Sequence, residues 1–156
     1  MTSGDLVSVT VPAYNHERYV AACLQSIAGQ THRRLELLVI DDGSSDGTNA
    51  VVTGALRTMR PRFERVVHVS RPNRGAVATL NELNDLARGE FVYLLASDDL
   101  AKPEAIETLL GFLATHPRHG LAVGDNEIID EHGTRVFWDR HRATVPDGPE
   151  VAFRTF

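Results

Sequence analysis

Two pairs of adjacent aspartates are the residues of this chain best suited to chemistry. Asp41-Asp42 and Asp98-Asp99 each follow a run of apolar residues. Carboxylates gathered at one place repel one another and raise each other's pKa, so such a cluster usually serves a cation, a proton transfer or a hydroxyl-rich ligand. A divalent ion such as Mg2+ or Mn2+ would relieve the repulsion and complete its shell with water and diphosphate oxygens. We predict that Asp99 and Asp98 hold such an ion.

Residues in two other segments could share a ligand with these aspartates. Asp42 could accept an N–H from the edge of a base, and Tyr14 offers a flat ring for stacking. Arg74 would add a positive charge near a diphosphate, and Gly75 would let the backbone approach it. Simpler roles stay open: Asp41, Asp42 and Asp46 are also ordinary turn and cap residues, a role we favour for Asp46, and Arg74 could be a solvated loop residue.

The apolar pattern alternates between strand-like runs and helix-like stripes, which predicts a parallel sheet with crossover helices. Predicted strands cover residues 6–11, 35–40, 65–70 and 91–96, and predicted helices cover 17–28, 49–59, 76–87 and a segment starting at Pro103. Residues 121–129 and 135–138 predict a hairpin. Asn15 is a candidate cap of the first helix, and Asp46 or Thr48 of the second. Ligands of open α/β sheets bind beyond the carboxyl ends of the strands, where the acidic turns should meet.

The composition is that of one acidic globular domain. The chain has 156 residues, of which 42% are hydrophobic and 24% charged, and a formal net charge of −5. Its basic residues are scattered, which argues against binding to nucleic acid. No apolar run approaches the roughly 20 residues of a membrane span, and the first residues do not show the basic and then apolar pattern of a secretion signal, so we expect a cytoplasmic location. Cys23 lies at helical spacing among apolar residues and is predicted to be a core residue.

Three other motif interpretations fail on their spacing. Residues 42–47 look like the start of a calcium-binding EF-hand loop, but its twelfth position is Thr53 instead of glutamate. The first strand is not followed by a glycine-rich dinucleotide loop or a P-loop. His116 and His119 are separated by Pro117 and lack a cluster of Cys or Glu that would complete a zinc site.

A series of short motifs follows one order along residues 6–130. In order they are residues 7–15, Gln30-Thr31, residues 37–48, Asn73-Arg74-Gly75, Asn81, residues 89–92, Ser97-Asp98-Asp99 and Pro103. Together they resemble the N-terminal, nucleotide-sugar-binding half of the inverting family-2 glycosyltransferases. Each motif is weak alone, but the ordered series is specific. One departure is Ala96, where many members of that family carry a further aspartate.

The resemblance implies a GT-A fold, a three-layer, Rossmann-like α/β/α domain over residues 1–156 with a mainly parallel sheet and a C-terminal hairpin. It implies that Pro12, Tyr14 and Asp42 contact the nucleoside, and that Asp98 and Asp99 correspond to the Asp-x-Asp metal motif of the family. The residues assigned to the nucleotide-sugar are Pro12, Ala13, Tyr14, Asn15, Asp42, Arg74, Gly75 and Asp98, and those assigned to Mn2+ or Mg2+ are Asp99 and Asp98.

The implied activity is metal-assisted transfer of a sugar, with inversion, from a UDP- or dTDP-sugar to a hydroxyl of a glycan, lipid or protein acceptor, as in polysaccharide biosynthesis. The family's general base generally follows the hairpin, so we expect it, and the acceptor-binding part, beyond Phe156. Asp125 and Asp130 are the available acidic residues near the fifth strand, and neither is assigned. Two alternatives stay open: a non-catalytic module that binds nucleoside diphosphates, and a sugar nucleotidyltransferase, which the absence of a glycine-rich basic loop after the first strand disfavours.

Overall fold

The computed structural model of the protein describes residues 5–130 and 133–139. The chain divides into two compact units, one that reaches to Ile106 and one that begins at Glu107. No helix in the described ranges is both long enough and apolar enough to span a membrane.

A parallel sheet of four strands forms the centre of the first unit. The strands are β1 (Val7–Ala13), β2 (Leu35–Asp41), β3 (Arg65–Ser70) and β4 (Phe91–Leu94), in the order β3-β2-β1-β4. All seven residues of β2 are buried, as expected for an inner strand of a parallel sheet covered on both faces. Because β2 and β3 lie on one side of β1 and β4 on the other, the loops after β1 and β4 leave the sheet side by side.

Helices α1 (Val20–Ala28), α2 (Thr48–Met59) and α3 (Ala76–Leu86) connect these strands, and a short 3-10 helix (Arg60–Arg62) follows α2. Each crossover is needed because parallel neighbours cannot be joined by a tight turn. The buried stripe of α1 consists of Val20, Cys23, Leu24 and Ile27. Leu83 of α3 joins Leu38 and Ile40 of β2 in the core.

Helix α4 (Ala105–Thr115) begins in the first unit and continues into the second. The second unit also contains an antiparallel hairpin of β5 (Asn126–Ile129) and β6 (Arg135–Asp139). The predicted α/β class, with a parallel sheet followed by a hairpin, is therefore confirmed.

The predicted start of the first helix was wrong. Helix α1 begins at Val20 instead of residue 17, and Tyr19 occupies its N-cap position in place of Asn15. Asn15 has a φ of 54°, in the left-handed region, and this conformation is incompatible with a right-handed α-helix at that residue. Strand β4 is also shorter than predicted, because it ends at Leu94. In the turn that follows, the Asp99 amide donates to the Ala96 carbonyl at 3.0 Å.

At the amino ends of the strands, Glu36 is fully buried within a polar network. Its Oε1 atom accepts hydrogen bonds from the Ser8 hydroxyl at 2.5 Å and the Arg88 amide at 2.6 Å, and its Oε2 atom accepts from the Arg65 guanidinium at 2.8 Å. Arg65 also donates to the Leu86 carbonyl at 3.0 Å. The network fastens the connection between α3 and β4 to the sheet.

Candidate functional site

The carboxyl ends of the three strands β1, β2 and β3 are level with one another. In the sheet register Ala13 lies opposite Asp41, and Asp41 lies opposite Ser70. The Asp42 amide donates to the Ala13 carbonyl at 2.8 Å, which continues the pairing beyond β2. The loops that carry the predicted site residues therefore start from a common edge.

The loops after β1 and β2 hold each other through Asn15. The backbone amide of Asn15 donates to Ser44 Oγ at 2.9 Å, and the side-chain Oδ1 atom of Asn15 accepts from the backbone amide of Ser45 at 2.8 Å. Because the side chain is used in this contact, Asn15 fixes the relative position of the two loops. Its predicted contact with a nucleotide-sugar stays a prediction.

A second set of hydrogen bonds joins the same two loops. Glu17 Oε2 accepts from the Gly47 amide at 2.6 Å, and Asp46 Oδ2 accepts from the Glu17 amide at 3.1 Å. The His16 amide donates to Thr48 Oγ1 at 2.8 Å. Asp46 Oδ1 also accepts from the Thr48 amide at 2.9 Å, so Asp46 shapes this turn. The predicted cap was wrong, because Gly47 and not Asp46 or Thr48 occupies the N-cap position of α2.

Tyr14 presents an aromatic ring at this edge of the sheet. The residue is 48% exposed, whereas Ala13 is buried and Pro12 is half-buried. An exposed ring beside polar loops is suited to stacking on a planar base. Pro12 and Ala13 form the end of β1 from which Tyr14 extends, and their predicted contact with a nucleotide-sugar stays a prediction.

Asp41 is buried and bound by neutral partners. Its Oδ1 atom accepts hydrogen bonds from the Ser44 hydroxyl and from the Ser44 amide, the latter at 3.2 Å. Its Oδ2 atom accepts from the Ser70 hydroxyl at 3.0 Å. Asp41 therefore shapes the turn after β2 and ties that turn to β3.

Asp42 is also buried, but it binds the loop after β3. Its Oδ1 atom accepts from the Arg71 guanidinium and from the Arg74 amide at 2.9 Å, and its Oδ2 atom accepts from the Gly75 amide at 3.0 Å. Burial alone would raise the pKa of Asp42, but hydrogen bonds from the Arg74 amide, Arg71 and the Thr79 hydroxyl, together with the charge of Arg71, hold that pKa below its ordinary value. Asp42 is therefore an ionised anchor beneath the loop of residues 71–75.

Two glycines permit the close approach of these loops. At Gly43, whose φ is 75°, a Cβ atom would lie only 2.6 Å from the backbone nitrogen of Asn73. Gly75 has a φ of 87°, which lets its amide point to Asp42. Other residues would be strained in both conformations.

Next to Gly75, Arg74 has an accessible guanidinium on a side chain that is 64% exposed, and its Nη1 lies 3.8 Å from Glu82 Oε2.

The turn of Asp98 and Asp99 lies beside the loop after β1. His16 Nδ1 is 2.8 Å from Ser97 Oγ and 3.7 Å from Asp98 Oδ1, and the Asp98 side chain is 47% exposed. Desolvation, and then the like charge of Asp98, raise the pKa of Asp99, while His16 acts in the opposite direction. The two carboxylates therefore form a site of concentrated negative charge.

Helix α1 holds the segment that follows this turn. Ser26 Oγ accepts from the Ala101 amide at 3.0 Å. Gln30 donates to the Lys102 carbonyl at 2.7 Å and accepts from the Ile106 amide at 3.2 Å.

On helix α1, burial and then the charges of Asp99 and Asp98 raise the pKa of the Cys23 thiol to about 12. Cys23 is fully buried, which confirms the prediction that it is a core residue.

The carboxylates of Asp98 and Asp99 suit a hard divalent cation whose remaining ligands are water or diphosphate oxygens. Within residues 5–130 and 133–139, no group of three or more His, Cys, Asp or Glu side chains is arranged to hold a metal ion. Asp98 and Asp99 supply carboxylate oxygens, the ligand type that Mg2+ and Mn2+ prefer. Desolvation, and then the charge of Asp98, raise the pKa of Asp99, and a bound cation would act in the opposite direction.

Arg71 and His16 belong to the site, although sequence reasoning did not select them. Arg71 is the first residue after β3, and it contacts both Asp42 and Glu82. His16 reaches the acidic turn because β4 lies beside β1. The signal in the sequence that indicates Arg71 is its position as a charged residue directly after a predicted strand.

The two acidic candidates for a general base lie in the second unit. Asp130 Oδ1 accepts from the Thr134 amide at 2.8 Å, which closes the turn of the hairpin. Asp125 Oδ1 is buried and has no hydrogen-bond partner within the described part of the chain. Neither observation assigns a role in catalysis.

Comparison with known proteins identifies the family. The model of "Glycosyl transferase family 2" matches residues 8–152, and this chain belongs to that family. The putative glycosyltransferase EpsE of Bacillus subtilis is 33% identical over 136 residues, which are 86% of this chain and 48% of EpsE. The chain thus spans about half the length of that relative.

Two solved structures show the same fold. S. aureus TarS 1-349 in complex with UDP-GlcNAc matches with a TM-score of 0.61 and 30% identity, over 72% of this chain and 32% of TarS 1-349. The mannosyltransferase PcManGT from Pyrobaculum calidifontis, in complex with GDP-Man and Mn2+, matches with a TM-score of 0.65 and 30% identity, over 70% of this chain and 32% of PcManGT.

Proposed function

We propose that this chain binds the nucleotide-sugar donor, a UDP- or dTDP-sugar, for metal-assisted and inverting transfer of the sugar to an acceptor hydroxyl. The observation that carries the proposal is the pair Asp98 and Asp99, in which Asp99 has a raised pKa. This pair follows β4 at the same edge of the sheet as the exposed ring of Tyr14. The UDP-GlcNAc complex of TarS and the Mn2+ complex of PcManGT support it.

Each loop has a separate task in this proposal. Tyr14 stacks on the base, and Asp42 fixes the loop from which the Arg74 guanidinium faces the diphosphate. Asp99 and Asp98 would hold Mn2+ or Mg2+, which when bound supplies positive charge that stabilises the leaving diphosphate. The residues of this chain thus bind and orient the donor, and none of them is assigned as the general base.

Calorimetry tests the proposal with the protein as it stands. UDP, dTDP and GDP are titrated with Mn2+ and, separately, with a chelator present, and UDP-GlcNAc serves as a representative UDP-sugar. We expect UDP to bind more tightly with Mn2+ than without it. The GDP titration tests the pyrimidine preference, because the PcManGT complex contains GDP-Man. Failure of every nucleoside diphosphate to show metal-dependent binding would overturn the proposal.

Replacing Asp99 by asparagine should remove the metal-dependent part of the UDP affinity. The amide carries no charge and is a poorer ligand for a hard cation. We therefore expect the UDP affinity of Asp99→Asn with Mn2+ to equal its affinity with chelator, as measured by calorimetry. The matched control is Asp85→Asn, on the exposed side of α3, which should keep the full response to Mn2+. An unchanged response to Mn2+ in Asp99→Asn would remove Asp99 from the metal site.

A further inference from the structure

Arg71 lies between two carboxylates at the end of β3. Its side chain is only 8% exposed, and its Nη1 atom donates to Asp42 Oδ1. Its Nε atom donates to Glu82 Oε2 at 2.8 Å, and its Nη2 atom donates to Thr79 Oγ1 at 3.0 Å. A planar guanidinium can serve three acceptors in fixed directions, which the single ammonium of lysine cannot do. Arg71 therefore links the end of β2 to α3.

We infer that Arg71 is a positioning residue for donor binding, which keeps the Asp42 carboxylate charged and fixed so that residues 71–75 present Arg74 and Gly75 to the nucleotide. This inference rests on the proposed function. It assigns to Arg71 no contact with the donor. Its effect passes through Asp42, which accepts hydrogen bonds from the amides of Arg74 and Gly75.

The two carboxylates that share Arg71 depend on it to different degrees. The Glu82 side chain is 32% exposed and can be solvated, whereas the Asp42 side chain is 6% exposed. Within the described residues, the other charged groups beside Asp42 are Arg74, which approaches Glu82, and the adjacent Asp41, whose charge acts on His68 of β3. Without Arg71, burial would still raise the pKa of Asp42, and only the neutral hydrogen bonds would oppose it. A protonated Asp42 is a weaker acceptor for the loop amides.

The variant Arg71→Met removes the charge and keeps an apolar stem. Its matched control is Arg34→Met, because Arg34 pairs with Glu64 through the same chemistry at 2.8 Å but on exposed side chains. Two quantities are measured across about pH 4 to 8, where an ordinary carboxylate titrates at the lower end. The first is UDP affinity by calorimetry, and the second is the pKa of Asp42 by carbon NMR, assigned with Asp42→Asn. The ionisation of UDP itself is common to both variants and cancels in the comparison.

We expect Arg71→Met to bind UDP about 10- to 100-fold more weakly than the control at neutral pH, the loss typical of one charged hydrogen bond. As the pH is lowered, Arg71→Met should lose UDP binding at a higher pH than the control does, because the pKa of Asp42 is raised in the variant. Equal affinity and equal pH profiles in the two variants would overturn the inference and leave the proposed function standing. Weaker binding with an unmoved pKa of Asp42 would also overturn it. Failure of the wild-type chain to bind any nucleoside diphosphate would overturn both.

Arg71→Lys keeps the inference testable if the methionine variant does not fold. Lysine retains the positive charge beside Asp42 but cannot reach all three acceptors. The pKa of Asp42 should therefore stay low, and UDP affinity should fall between the values for wild type and Arg71→Met. If Asp42 in Arg71→Lys titrates at its wild-type pH while UDP binding is lost completely, the charge of Arg71 is not what positions the loop, and the inference is wrong.

Discussion

Replacing Asp42 by asparagine is expected to weaken UDP binding by about 10- to 100-fold, the cost of losing one charged hydrogen bond. The amide is nearly isosteric, but it cannot balance the charge of the buried Arg71 side chain or accept on both of its polar atoms. The loop of residues 71–75 then loses the anchor that holds the Arg74 and Gly75 amides. Calorimetry should show the loss both with Mn2+ and with chelator, because Asp42 acts apart from the metal.

Asp41→Asn is the matched control for this experiment. Asp41 is adjacent and equally buried, but its partners are the neutral groups of Ser44 and Ser70. Its replacement should therefore change UDP affinity much less than Asp42→Asn does. Equal losses in the two variants would mean that burial, and not the contact with the loop after β3, explains the effect. A loss confined to the measurements with Mn2+ would contradict the separate tasks of the two acidic turns.

Glu36→Gln should lower the free energy of unfolding at neutral pH by on the order of 3 kcal/mol, the cost typical of removing one partner from a buried ion pair. Burial alone would raise the pKa of Glu36, but hydrogen bonds from Ser8, the Arg88 amide and Arg65, together with the charge of Arg65, hold that pKa below its ordinary value. The ionised form therefore stabilises the fold at any pH above the ordinary pKa of glutamate. This contribution disappears as the pH falls through the lower pKa of the folded state.

Urea denaturation at neutral and acidic pH measures this effect. The difference in stability between wild type and Glu36→Gln should shrink on acidification, because the wild-type carboxyl group then also becomes neutral. Glu64→Gln is the control, since the Arg34 and Glu64 side chains are 49% and 44% exposed and such pairs contribute little to stability. A pH-independent difference would show that shape, and not the charge of Glu36, matters at this position.

The two acidic turns illustrate how similar dipeptides acquire different properties. Asp42 is surrounded by donors, which keep its pKa low. At Asp99, desolvation and then the charge of the neighbouring Asp98 carboxylate raise the pKa. An ionised residue with its acceptors already occupied is suited to fixing a loop, whereas a repelling pair is suited to binding a cation. The proposed division between a loop anchor and a metal site follows from this difference.

Much of the fold could be predicted because its signals are local. Apolar runs located the four strands of the parallel sheet, and the stripe of Val20, Cys23, Leu24 and Ile27 located α1. The errors occurred where a loop made long-range contacts, as at Asn15, which binds Ser45 instead of capping α1. A side chain that can cap a helix can equally bind a neighbouring loop, and the local sequence does not distinguish the two.

The sequence by itself determined which polar residues stand at the ends of strands, because the period of the apolar residues defines where each strand stops. Only the tertiary structure decided which of those residues meet. Asp42 and Arg71 are 29 positions apart, and His16 and Ser97 are 81 apart. Both contacts exist because the strand order places β2 beside β3 and β1 beside β4. Strand order is a property of the whole sheet, so no single segment of the sequence encodes these pairs.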